Sequence, residues 1–470
     1  MAANGLCFLS IAQLAEQIRT RAVSPVEVTR AYLDRIHTLD SKLNSYITVT
    51  AERALQEAKA AEEQICNGTY LSPLHGIPLA HKDIIATKGV KTTCGSKVLK
   101  DQVPDYDATV IERLRAAGSV SLGKLNMNEF ATITPSPHFG RVNNPWALER
   151  NPGGSSSGSG VAVAAGLCAG SLGTDTGGSI RIPAAFCGIV GLKATHGRIS
   201  LFGVTPLSWS LDHVGPMTRT VRDTALMLQA LAGHDPRDLG ASEAPVSDYG
   251  ARLTGEVKGL RLGVPSRFFP EYTDPEVKGA FDAAVKMLAG LGAQIEEITL
   301  PALDNAWPIA QVIMNGEANV WHEPYLQTQA EDYAPQVRKF LERGKPTLAT
   351  DYVKAQRAKA QLRQEMLAAC ARIDALLTPG ELIPPPPHDA RSVTLNGREV
   401  SLMGALISAT CPFNVTGQPA LTVPCGFTTG GLPIALQIVG KHFDEATVLQ
   451  VGHAYEAHTS WHERRPPGDA

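Results

Sequence analysis

Residues 151–183 read NPGGSSSGSGVAVAAGLCAGSLGTDTGGSIRIP, and this segment limits what the chain can become. Two runs of Gly and Ser, 153–160 and 177–179, enclose an apolar stretch of small residues. A flexible Gly/Ser linker would not enclose a segment suited to burial, nor end in the charged pair Asp175 and Arg181. Glycine lets each run turn tightly and approach a ligand, while the serines supply hydroxyls and the turns supply N–H groups. The 24 residues from Ser155 to Ser179 are enough for a helix (161–167) and a returning strand (169–174) that set the second turn beside the first. The segment reads as the centre of a serine-dependent acyl-transfer site.

Strand and helix patterns alternate along the rest of the chain. GIPLAHKDII (76–85) is a β-type apolar run interrupted by Lys82, and GIVGLKAT (188–195), LRLGVP (260–265) and DALLTP (374–379) are further strands. PALTVP (419–424) and LPIALQIVG (432–440) read as paired central strands. Helical periodicity falls on 24–39, 50–65, 221–233, 275–292 and near 305–327 and 350–372. The expected class is α/β: one large domain over residues 1–470, with a central mixed, mostly parallel sheet covered by helices on both faces. The Gly/Ser core occupies about residues 70–235 of it, preceded by N-terminal helices at about 10–66.

A net charge of −3, with no basic run, leaves no electrostatic footprint for nucleic acid. No window approaches the about 18 uninterrupted apolar residues of a membrane span, so no membrane partner is expected. The N-terminus lacks the basic region and apolar core of a signal peptide. The cysteines are scattered without CxxC or zinc-type spacing, as befits buried free thiols in a soluble, cytoplasmic protein.

Three hydrolytic or nucleotide chemistries compete for the glycines. No lysine follows them as a P-loop requires, and the polar segment before them is not the strand that opens a dinucleotide fold. Gly154-Ser-Ser156-Ser-Gly158 matches GxSxG formally, but Pro152 forbids the central strand that a nucleophile elbow needs. In the third reading Lys82 comes from the apolar run, Ser155 from the first turn and Ser179 from the second. GGSSSGSG, GTDTGGSIRIPAAFCGIVGLKAT and the upstream HKD resemble the amidase signature family, whose members use a Ser–cisSer–Lys triad. Weaker similarity extends from SPVEVT to DEATVL; the one visible departure is Ser157, where the family run usually has glycine.

The resemblance implies Ser179 as nucleophile, Ser155 as bridging serine after a cis Gly154–Ser155 peptide, and Lys82 as base. An ordinary lysine, with pKa about 10.4, is neutral only about once in 2,500 at pH 7, so the base must be desolvated to work. Backbone N–H groups of Thr176, Gly177, Gly178 and Ser179 are the candidate oxyanion hole, supported by Asp175 and Arg181. Met127, Phe130 and Ile407 are candidate pocket residues, while Asp212 and His213 read as structural.

The family holds free-standing amidases and the glutaminase component of glutamyl-tRNA amidotransferases, which hydrolyses glutamine and passes ammonia to a partner. In that component an Asp for the substrate amino group precedes a T-x-P-x-N segment; here the segment is Thr410-Cys-Pro-Phe-Asn414 and the corresponding residue is Ile407. The expectation is therefore a serine hydrolase of small apolar or aryl amides, with carbamates (urethanes) and esters as related substrates. The alternative is the glutaminase component of a tRNA-dependent amidotransferase complex. No metal, nucleotide or organic cofactor is implied, and the exposed helices allow a homodimer.

Overall fold

The computed structural model describes residues 3–395 and 397–468. Its strands are β1 (Tyr46–Val49), β2 (Pro78–Lys82), β3 (Val120–Leu125), β4 (Gly170–Thr174), β5 (Val190–Lys193), β6 (Val214–Thr218), β7 (Arg261–Pro265), β8 (Gln294–Ile298), β9 (Ala375–Pro379), β10 (Ser392–Leu395), β11 (Arg398–Ser401), β12 (Ala420–Phe427) and β13 (Pro433–Gly440). An eleven-stranded sheet runs in the order β1-β3-β2-β4-β6-β5-β12-β13-β9-β7-β8, and β10 and β11 form a separate hairpin. The mixed α/β sheet is the expected class. Parallel pairing does not dominate it, however: β3–β2–β4 and β9–β7–β8 are parallel, and the other neighbours are antiparallel. The centre departs from the expectation because β12 and β13 are joined by a turn closed by Thr428 and Leu432, too short for the crossover that parallel strands require.

Strands β2, β4, β5, β6, β9 and β13 are buried at every residue, polar ones such as Lys82, Ser171 and Lys193 included, as in a sheet covered on both faces. The helix Pro25–Leu43 starts where its sequence directs. The Ser24 hydroxyl accepts from the Val26 N–H (3.0 Å), and Pro25 takes the first helical position.

The apolar segment between the two Gly/Ser turns forms the helix Ser157–Ala164, followed by β4. All of this helix is buried, and its glycines allow that. A Cβ on Gly158 would sit 2.4 Å from the Ser45 carbonyl oxygen and 2.5 Å from that of Asn126. Helices Ala306–Thr328, Pro335–Gly344 and Ala349–Ala369 pack together beside the sheet, joined by Asn319 Nδ2 to the Leu341 carbonyl (2.9 Å) and Tyr352 OH to Glu317 (2.8 Å). Among the described residues no helix is long and apolar enough to cross a membrane, and no cluster of His, Cys, Asp and Glu could hold a metal.

Candidate active site

Lys82 is the last residue of β2, a strand flanked by β3 and β4, so its side chain has no route to bulk water. The amine lies 2.7 Å from the Ser155 hydroxyl and 2.7 Å from that of Thr174, the last residue of β4. Burial disfavours the ammonium and lowers its pKa to about 7, against the weaker upward pull of Asp175 and Asp212. Near neutral pH a large fraction of this amine is therefore uncharged.

The Gly154–Ser155 peptide is cis. The Asn128 N–H donates to the Ser155 carbonyl (3.1 Å), and the Ser156 N–H donates to the Ser179 carbonyl (3.3 Å), which ties the two turns together. Ser155 and Ser179 both line a cavity of about 480 Å³, together with Gly153, Gly154, Thr176 and Gly177. Ser156 is directed elsewhere: it is fully buried, and its hydroxyl donates to the Thr174 carbonyl (3.1 Å).

Asp175 holds the second turn. Its carboxylate accepts from the N–H groups of Gly178 (2.8 Å) and Ile180 (3.1 Å) and from Nε and Nη2 of Arg181, both at 3.0 Å. Burial pushes this carboxyl up, but the charge and hydrogen bonds of Arg181, with Lys193 and Asn414, hold it well below the usual carboxylate range. Arg181 also donates to the Thr410 carbonyl (2.8 Å), Gln437 (2.9 Å) and Asn414 (2.7 Å), so its fork is filled from strand β13 and the helix Cys411–Val415 with its cap.

This arrangement corrects one of the expected oxyanion donors. The Gly178 N–H is bonded within the turn, whereas those of Thr176, Gly177 and Ser179 meet no acceptor among the described residues, and these three line the cavity. Gly178 serves by having no side chain: at φ +138° a Cβ would lie 2.3 Å from the Thr410 hydroxyl, which donates to the Gly177 carbonyl (2.6 Å).

Thr176 is held from behind. Its hydroxyl donates to Asp212 (2.5 Å), whose other oxygen accepts from the N–H groups of Leu207 and Ser208, both 2.9 Å. Burial pushes the Asp212 carboxyl up to about 7 against these bonds. Ser208 in turn donates its hydroxyl to Glu317 (2.6 Å) on the helix Ala306–Thr328, which also gives Trp307 and Met314 to the cavity.

Of the expected pocket residues, Ile407 lines the cavity. Met127 and Phe130 do not. Both are buried in the core, and Phe130, at φ +48°, packs edge-on against His322 (4.5 Å between centroids) and beside Tyr333. Their neighbours Asn128 and Ala131–Thr134 line the cavity instead, around a tight turn in which Phe130 and Ala131 have positive φ. The sequence reading missed Thr174, whose signal was its place beside Asp175 in GTDTGGS, and the Thr176–Asp212 bond, which joins residues too far apart to pair by spacing.

The chain matches the family described as Amidase over residues 27–449. It is 43% identical over 483 residues to the GatA-type component of a glutamyl-tRNA(Gln) amidotransferase of Geobacter metallireducens, covering 97% of this chain and 98% of the relative. In structure it is similar to a chain from a vestigial protein complex linked to the origins of an s-triazine catabolic enzyme. The TM-score there is 0.91 at 32% identity, over 96% of this chain and 98% of that one. A bacterial aryl acylamidase superposes with TM-score 0.89 at 25% identity, over 97% and 98% of the two chains. The chain therefore belongs to the amidase signature family.

Proposed function

We propose that the protein hydrolyses a C–N amide bond through an acyl-enzyme on Ser179. The observation that carries this reading is the buried, readily neutralised Lys82 amine 2.7 Å from Ser155, with Ser155 and Ser179 lining the same cavity. The neutral amine takes the Ser155 proton as Ser155 takes that of Ser179, whose oxygen attacks the carbonyl carbon. The negative oxygen that forms is met by the N–H groups of Thr176, Gly177 and Ser179. Collapse breaks the C–N bond, and the proton held on Lys82 returns through Ser155 to the departing nitrogen. Water then repeats the sequence on the ester, releasing the acid and restoring Ser179. Every proton begins and ends on a substrate, a water or a side chain of this protein.

The substrate reading follows from the cavity. Trp307, Met314, Phe340, Met403 and Ile407 give it an apolar lining, and among the described residues no Asp or Glu joins them. A small amide with an apolar or aryl body fits such a lining; an α-ammonium group would be desolvated there without a counter-charge. Carbamates and esters present the same carbonyl to Ser179.

A second reading, an amidotransferase component that draws ammonia from glutamine for partner chains, is favoured by the identity of the curated relatives, which extends over nearly the whole chain. One assay separates the two. Purified protein is offered acyl anilides, primary amides, aryl carbamates and glutamine, with Ser179→Ala alongside. Faster cleavage of anilides supports the free-standing amidase; faster ammonia release from glutamine, or activity only with co-purifying partner chains, supports the amidotransferase component. Full activity in Ser179→Ala would overturn both.

A further inference from the structure

Among the described residues the cavity is lined by charge of one sign: Lys339 and Arg343 line it, and no described Asp, Glu or His joins them. They lie four residues apart on the helix Pro335–Gly344, a spacing that stacks them one turn apart on a single face. Phe340 and Val337 of the same helix are also in the lining, so the two cations stand beside an apolar surface. Neither has an ion-pair or hydrogen-bond partner among the described residues, and both side chains are exposed, which puts them at the mouth. Arg338 makes the contrast on the same helix. It is absent from the lining and is neutralised by Glu331 and by Glu342 (2.8 Å). The helix thus neutralises the arginine outside the cavity and leaves unpaired the two cations that edge it.

We propose that the substrate is an amide with an apolar body and a carboxylate at the end remote from the scissile bond, held at the mouth between Lys339 and Arg343. This rests on the reading of Ser179 as nucleophile and narrows the class of amide. A carboxylate offers two oxygens to two cations a helical turn apart, and the apolar body then spans from them to the turn at Thr176–Ser179. An ammonium at the same place would meet two like charges. Because both cations are exposed, their attraction is screened by salt and acts on binding more than on the chemical step.

The test uses two anionic probes, each beside its methyl ester: adipic acid monoanilide, with the carboxylate on the acyl side, and 4-(hexanoylamino)benzoate, with it on the amine side. In the full-length protein at low salt at least one acid should have a KM about fivefold to tenfold below its ester, an advantage that falls as salt is raised. The Lys339→Gln/Arg343→Gln double variant should bring that acid-to-ester ratio close to one, and Lys339→Arg should preserve it. Melting curves matched to wild type exclude misfolding of the variants. Binding of the same probes to Ser179→Ala, followed by Trp fluorescence, reads the ratio without turnover. Equal affinity for acid and ester, no measurable binding of either acid, or a ratio unchanged in the double variant would overturn the proposal. Undiminished cleavage by Ser179→Ala would instead overturn the acyl-enzyme reading, and the binding ratios would still decide this one.

Discussion

Lys82 and Lys124 are neighbours in the sheet with opposite surroundings. They sit on the paired strands β2 and β3, where His81 is in register with Lys124 and Lys82 with Leu125, so the two amines leave opposite faces. Both are fully buried, and burial lowers both, Lys82 to about 7 and Lys124 to about 8. The Lys124 amine meets the Ile85 carbonyl and the hydroxyls of Thr87 (3.2 Å) and Thr92 (2.8 Å), within the field of Asp83. It fastens the loop that follows β2. Among the described residues the Lys82 amine meets only hydroxyls, and one of them, Ser155, lines the cavity. Burial and weak proton affinity are common to both, so they do not by themselves make a base. What sets Lys82 apart, and suits it to the proposed role, is an adjoining hydroxyl that lines the cavity.

The largest expected effect separates the two lysines directly. Lys82→Ala and Ser179→Ala should each lower kcat by at least about a thousandfold, with Ser155→Ala losing most of the activity. Ser156→Ala should matter far less. Lys124→Ala should keep kcat within a few-fold while losing about 1–3 kcal/mol of stability in urea titration, because the buried oxygens of Ile85, Thr87 and Thr92 lose the amine they share. A Lys124→Ala protein with native melting and no turnover would break the comparison.

Next in size is Arg181→Met, which strips the buried Asp175 of its cation and should cost about 3–5 kcal/mol in the same titration. Asp212→Asn probes the turn from behind. Loosening Thr176 should lower kcat about tenfold with KM little changed, less than the loss of a whole oxyanion donor.

The smallest effect is a shift in pH dependence. Only the neutral amine accepts a proton, so kcat/KM should rise with pH through about 7. Asp212, itself pushed up to about 7, raises the Lys82 pKa to the extent that it is ionised, and the Asp212→Asn limb should therefore move to lower pH. A limb that stayed in place would detach Asp212 from the amine.

What could be read from the sequence was whatever local spacing encodes. The two Gly/Ser turns, the helix and strand between them, and the lysine in the apolar run of β2 all follow from composition and period. The antiparallel middle of the sheet could not be read that way, because β6 inserts between β4 and β5 and β5 pairs with β12 from far along the chain. Phe130 illustrates the limit within a site: it is buried in a turn with two residues of left-handed backbone, a conformation invisible to pattern, while Asn128 lines the cavity. Thr176 and Asp212 were both in view, but the bond between them depends on a loop path that no spacing rule supplies.

The partners of Arg181 carry a consequence for how the protein is made. The arginine belongs to the Gly/Ser core, yet Thr410, Asn414 and Gln437, which fill its fork, come from the last quarter of the chain, as does β12 beside β5. A nascent polypeptide halted after the core would hold a guanidinium with one anion and no neutral acceptors, next to an open sheet edge. Vectorial synthesis therefore delivers Ser179, the proposed nucleophile, long before its scaffold can set. The working turn is completed only after residue 437 has left the ribosome, and no shorter fragment should inherit the chemistry.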